Sequence, residues 1–111
     1  DFWSKKGIEK AVLNINDGSG LSPANRVTTN ALVEVMQYAK KQNWFSSFYN
    51  ALPEQNGIRM KSGYIGGVRS YTGYIKSKTG NEYTFSFIVN NFDGSPGAVR
   101  EKMWKLLDIL K

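Results

Sequence analysis

Between Gly67 and Asn91 the chain reads GVRSYTGYIKSKTGNEYTFSFIVNN, and this run constrains the fold more than any other part of the sequence. It is dense in Val, Ile, Tyr, Phe and Thr, the side chains that suit a pleated, half-buried surface. Its centre, Lys78-Thr79-Gly80-Asn81, has the Gly-Asn chemistry of a tight turn, because those two residues accept backbone angles that others resist. Two antiparallel strands, 67–77 and 82–91, follow from that punctuation. Ahead of them Ile58-Arg59-Met60-Lys61-Ser62-Gly63 makes a third strand, turned back by Gly66 and Gly67.

Helical periodicity surrounds the strands. Thr28 or Thr29 caps a helix in which Leu32, Val35, Met36 and Ala39 recur at helical spacing up to about Gln42. A second helix runs from Trp44 to Leu52, where Phe45, Phe48, Tyr49 and Leu52 share a face and Pro53 stops continuation. A third starts with Ser95 as cap and Pro96 at the first helical position, and aligns Val99, Met103, Leu106 and Leu110 on one stripe. Near the N-terminus the pattern reads as the end of a short helix over Phe2–Lys10 and a brief strand over Ala11–Ile15. Asn16–Thr28, NDGSGLSPANRVT, is a loop by composition. The expected architecture is α+β, with helices packed on a three-stranded antiparallel sheet, in a single domain over residues 1–111.

Inventory excludes several chemistries. The 111 residues contain neither cysteine nor histidine, so a thiolate nucleophile, a zinc site and a Ser-His-Asp triad are ruled out. Asp and Glu are the only common metal ligands left, and no metal or cofactor is expected. A net charge of +6 suits an anionic partner. No apolar run approaches the roughly 20 residues that span a bilayer. The first residues, DFWSKKGIEK, have neither an initiator Met nor the apolar region of a signal peptide, and read as though cut from something longer.

One tripeptide type occurs twice. Lys61-Ser62-Gly63 and Lys78-Thr79-Gly80 lie seventeen positions apart, and Lys-Ser/Thr-Gly sits beside the nucleophile in one group of serine hydrolases. The second copy falls on the turn between strands, where Gly and Asn serve the reversal and Lys meets water. The first lies on a strand, from which a lysine and a hydroxyl can face a cleft while glycine lets a ligand backbone approach. Against that, Lys, Ser and Gly are also ordinary residues of an edge strand.

The order of these segments resembles that of the D-alanyl-D-alanine carboxypeptidase/endopeptidase family, the low-molecular-mass class C penicillin-binding proteins. NDGSGLSPANRVT is similar to the family's Asp-Gly-Ser-Gly-Leu-Ser segment before a helix. Lys61-Ser62-Gly63, Gly67-Val68, Gly73-Tyr74 and FSFIVNNF then follow in the family's order across almost the whole chain. The resemblance selects Lys61-Ser62-Gly63 as the site motif, since the family's copy precedes Gly-Val. It implies a serine hydrolase that cuts D-Ala-D-Ala-type bonds in peptidoglycan stem peptides and is acylated by β-lactams, outside the cytoplasmic membrane. Its roles would fall on Lys61, as positive charge toward the substrate carboxylate and in the proton network; on Ser62, as a hydrogen-bond donor to that carboxylate; on Gly63, as the point of close approach; and on the backbone N–H of Tyr64, as an oxyanion donor.

The resemblance is incomplete. Such enzymes also need Ser-x-x-Lys and Ser-x-Asn. No serine here has Lys three positions on or Asn two positions on. The chain therefore reads as the C-terminal part of a larger transpeptidase-like domain, inactive without the remainder that carries the nucleophile. Tyr64 stands where family members commonly have a small residue, and only seven residues separate Pro53 from Lys61 where the family has a longer segment. Asp17, Ser19 and Ser22 admit a catalytic reading, but Gly-flanked Asp and Ser more often hold a loop through local bonds.

Two rival functions remain open on sequence alone. Arg69, Lys76 and Lys78 interleave with Tyr71 and Tyr74 as on a single-stranded nucleic-acid platform. The spacing of three between the tyrosines argues against it by putting them on opposite faces of a strand. A non-catalytic cell-wall interaction module is the other.

Overall fold

The computed structural model describes residues 2–111. Two short 3-10 turns, Ser4–Lys6 and Lys10–Val12, precede β1 (Leu13–Asn14), β2 (Arg26–Val27), α1 (Thr29–Lys40) and α2 (Phe45–Ala51). Then come β3 (Glu54–Gln55), β4 (Ile58–Ile65), β5 (Val68–Lys76), β6 (Glu82–Val89) and α3 (Pro96–Asp108). The main sheet is antiparallel in the order β3-β4-β5-β6, while β1 and β2 form a separate two-stranded ribbon. The class is the α+β expected from sequence. The expected three strands gain a fourth, because Asn56 and Gly57, both at positive φ, turn Glu54–Gln55 back onto Ile58–Arg59.

Alternation along the strands gives the sheet two apolar faces. Ile58, Met60, Tyr71, Ile75 and Phe85 point one way and pack against Val99, Met103 and Leu107 of α3. Tyr74 points the other way and packs with Met36 of α1, Leu52, and the rings of Phe45, Phe48 and Tyr49. The Tyr74 hydroxyl donates to the Met36 carbonyl at 2.6 Å, which ties the sheet to α1, and burial pushes its pKa up to about 12. Tyr71 and Tyr74 thus sit on opposite faces under different helices, and offer no two-ring platform for stacked bases.

Caps fix the helix starts where the sequence puts them. The Thr28 side chain accepts from the Ala31 N–H, and the Ser95 side chain accepts from the Ala98 N–H with Pro96 at the first turn. The stripe of α3 differs at one place. Leu106 is 55% exposed, and Leu107 is buried instead. Val99, Met103 and Leu107 follow one another at a spacing of four and share the buried face, with the Trp104 ring packed on Tyr71 beside them. The expected N-terminal helix is two 3-10 turns, since Gly7 at φ 91° ends the first of them after Lys6. Of Ala11–Ile15 only Leu13–Asn14 is a strand, and it takes its partner from the end of the predicted loop, Arg26–Val27.

The rest of that loop is organised by one carboxylate. Asp17 accepts from the Ser19 hydroxyl, the Gly20 and Ser22 N–H groups and, more distantly, the Asn25 amide. The Ser19 hydroxyl is the chief cause of its lowered pKa. All of Asp17's partners lie within the loop, which is the local backbone-holding role.

Candidate functional site

The two tripeptides have different settings. Lys78-Thr79-Gly80 forms the exposed β5–β6 turn: Gly80 N–H donates to the Ser77 carbonyl, and the Ser77 and Thr79 hydroxyls pair at 2.9 Å. Lys61-Ser62-Gly63 lies in the middle of β4 and lines a groove of about 480 Å³. The groove's other wall is apolar, made by Leu32 and Met36 of α1 with Phe48, Ala51 and Leu52. Ser70 and Thr72 of β5 close its floor.

β4 is an edge strand over most of its length. β3 pairs only with Ile58 and Arg59, and just beyond it the Met60 N–H donates to the Pro53 carbonyl, on the side away from β5. The Met60 carbonyl accepts from the Gln55 side chain on that same outer side. Register with β5 is unbroken from Arg59↔Tyr74 to Ile65↔Val68, so backbone groups alternate regularly. The N–H and C=O of Ser62 and Tyr64 therefore face the open edge, as those of Met60 do. The Lys61 ammonium curls to the same edge, donating to the Ser62 carbonyl at 2.7 Å.

Side chains alternate in step. Lys61 and Gly63 belong to the groove face; Ser62 shares the parity of Met60 and Tyr64, and meets the groove along the open edge. A Cβ at Gly63 would stand 2.7 Å from the Ser70 Oγ, so that hydroxyl would have to turn aside, and the Cβ would project into the groove. Tyr64 sends its ring to the α3 face, away from the groove, where it meets Phe92 at 6.3 Å and the Arg69 guanidinium at 5.6 Å. The small residue expected after the tripeptide is replaced by a large one that leaves the cleft open.

Three features escaped the sequence reading. Ser70 and Thr72 line the groove because the register sets them opposite Gly63 and Lys61. That is legible once strand parity is applied across the hairpin. Gly73 faces Met60 so closely that a Cβ would come 2.2 Å from the Arg59 carbonyl oxygen, which makes β5 and β4 fit only with glycine. Tyr64 and Arg69 face each other in the same register, but the contact of Tyr64 with Phe92 had no sequence signal, because it joins β4 to a residue beyond β6. A larger groove of about 630 Å³ runs by Trp3, Leu13, Ile15, Leu32 and Val35, but it lacks the converging backbone donors of β4.

The sheet is clothed by helices on both faces, with Lys-Ser-Gly on an edge strand beside a groove. Residues 2–54 and 54–110 match the model of the D-Ala-D-Ala carboxypeptidase 3 (S13) family, and the chain belongs to that family. It is also 28% identical, over 117 aligned residues, to the D-alanyl-D-alanine carboxypeptidase of Actinomadura sp. (strain R39). That alignment covers 86% of this chain and 22% of the Actinomadura protein.

Proposed function

We propose that this chain forms the substrate-binding wall of a serine D,D-carboxypeptidase or endopeptidase acting on D-Ala-D-Ala-type bonds of peptidoglycan outside the cytoplasmic membrane. The observation that carries the reading is the open edge of β4, where the Lys61 ammonium and outward-facing backbone amides border a groove. An extended peptide laid along that edge finds backbone partners in Ser62 and Tyr64, as a strand added to a sheet does. Lys61 and Ser62 then meet its terminal carboxylate through charge-assisted contacts, which are stronger than neutral ones.

Chemistry requires a nucleophile that the chain does not encode. A serine from the remainder of the protein attacks the scissile carbonyl carbon, the carbonyl oxygen gathers negative charge, and the Tyr64 N–H stabilises it. Loss of one such donor typically costs about 3 kcal/mol, on the order of a hundredfold in rate. By itself the chain binds but does not acylate.

The test is covalent labelling by a fluorescent penicillin. The complete protein is expected to take the label and the 111-residue chain to stay dark. Lys61→Ala in the complete protein is expected to depress labelling strongly, and Lys78→Ala to leave it unchanged. Label on the short chain, or the opposite ranking of the two lysines, would sink the assignment.

A further inference from the structure

The α3 face of the sheet carries a ladder of aromatic and cationic side chains that ends under the candidate oxyanion donor. Arg100 lies over the Trp104 ring at 5.2 Å, and Trp104 meets Tyr71 at 6.4 Å. The Arg69 Nε–H donates to the Tyr71 hydroxyl at 3.2 Å, and the Arg69 guanidinium lies 5.6 Å from the Tyr64 ring. Tyr64 in turn meets Phe92 at 6.3 Å. Its lower rungs are anchored: Tyr71 is fully buried and Trp104 packs against the core.

The upper rungs stand where β4 is least supported. Beyond Met60 the strand has β5 on one side only. It then enters a turn made of Gly66 and Gly67, both at positive φ and neither bringing a side chain to brace it. Besides its pairing with β5, two contacts tie this end to the segment after β6. One is the Phe92 N–H, which donates to the Gly67 carbonyl at 3.3 Å. The other is the Tyr64 ring, 56% exposed and therefore not placed there by burial, which sits among Arg69 and Phe92. Asn91, at φ 51°, turns the chain so that Phe92 reaches both.

We propose that Tyr64, Arg69 and Phe92 are positioning residues: their side chains clamp the end of β4 from the face opposite the groove and fix the direction of the Tyr64 N–H. This rests on the function proposed above. The side chain and the amide of one residue leave β4 in different directions, so anchoring the ring restrains the N–H without entering the cleft. Bulk at Tyr64 is thereby turned from an obstruction into a brace.

The experiment uses the complete protein and a chromogenic β-lactam, with stopped-flow kinetics separating the pre-covalent Kd from the first-order acylation constant. Tyr64→Ala, at an exposed position, and Phe92→Ala are expected to slow acylation by about tenfold or more, since small misplacements of an aligned donor are costly. The Kd is expected to stay within about twofold. Tyr64→Phe, which keeps the ring, is expected to restore the parent constant. Arg69→Lys, which loses the planar guanidinium, is not expected to support it. Alanine variants with an unchanged acylation constant and only a lower thermal midpoint would overturn the proposal and reduce the ladder to a stability element. Failure of the complete protein itself to acylate, or normal acylation by Lys61→Ala, would instead refute the underlying function.

Discussion

Gly73→Ala links the packing of the sheet to the site in one substitution. Gly73 lies opposite Met60, and an added Cβ would stand 2.2 Å from the Arg59 carbonyl oxygen and 2.7 Å from the Met60 Cα and Cβ. The obstructing atoms include backbone, so no rotamer change relieves the clash. Reaching the ordinary contact limit of 3.4 Å requires β4 to retreat by about 1 Å. Met60 is fully buried against α3 and resists that shift. Overpacking of this kind costs about 1–3 kcal/mol, and the upper end applies here. In urea unfolding, with slopes of about 1–3 kcal/mol per molar, the midpoint is expected to fall by roughly 1–3 M with the slope unchanged. The same retreat displaces Lys61 and Ser62, and under the proposed function a misplacement of about 1 Å corresponds to roughly a hundredfold loss of acylation by the complete protein. Gly97→Ala is the control, because an added Cβ there meets nothing within 4 Å. A Gly73→Ala protein whose stability lies within about 0.5 kcal/mol of the parent would refute the reasoning, since so small a change is typical of a surface position.

Two other outcomes follow from titrating groups and one from a single hydroxyl. Burial raises Tyr74 to about 12, above the ordinary value of 10.0, so the folded state keeps a proton that the unfolded state releases. Its contribution is complete below pH 10 and declines as pH rises toward 12; Tyr74→Phe is expected to abolish that alkaline limb in pH-dependent unfolding. Removing the hydroxyl at neutral pH also deletes its bond to the Met36 carbonyl, at a cost of about 1 kcal/mol. Asp17 is shifted the other way, chiefly by the Ser19 hydroxyl and further by the Gly20, Asn25 and Ser22 donors. Its loop is held above pH 3.8 and released as pH falls through the lower folded value; an NMR titration of the Gly20 and Ser22 amides with a midpoint at or above 3.8 would contradict this.

Most of the fold was legible because its signals are local. Thr28 and Ser95 cap where they stand in the sequence, and the Gly80-Asn81 turn fixes the β5–β6 pairing. The parity of Tyr71 and Tyr74 separates two cores before any coordinates are known. What was missed depends on contacts between distant residues. β3 exists because a two-residue turn returns Glu54–Gln55 to β4, and the buried stripe of α3 takes Leu107 in place of Leu106 where it meets the sheet. At the candidate site Lys61, Ser62 and Gly63 were readable as a motif, and the copy at Lys78 as a turn. The outward direction of the Tyr64 N–H was not, since it follows from the register and from Met60 bonding to Pro53.

A crystal structure of the complete protein treated with a β-lactam tests the proposed substrate wall most directly. The ester carbonyl oxygen should lie about 2.7–3.1 Å from the Tyr64 N–H, the distance at which a donor stabilises an oxyanion. The ligand carboxylate should meet the Ser62 hydroxyl and the Lys61 ammonium at the open edge of β4. An acyl group seated elsewhere, with that edge covered by another strand or by packed apolar side chains, would contradict the account.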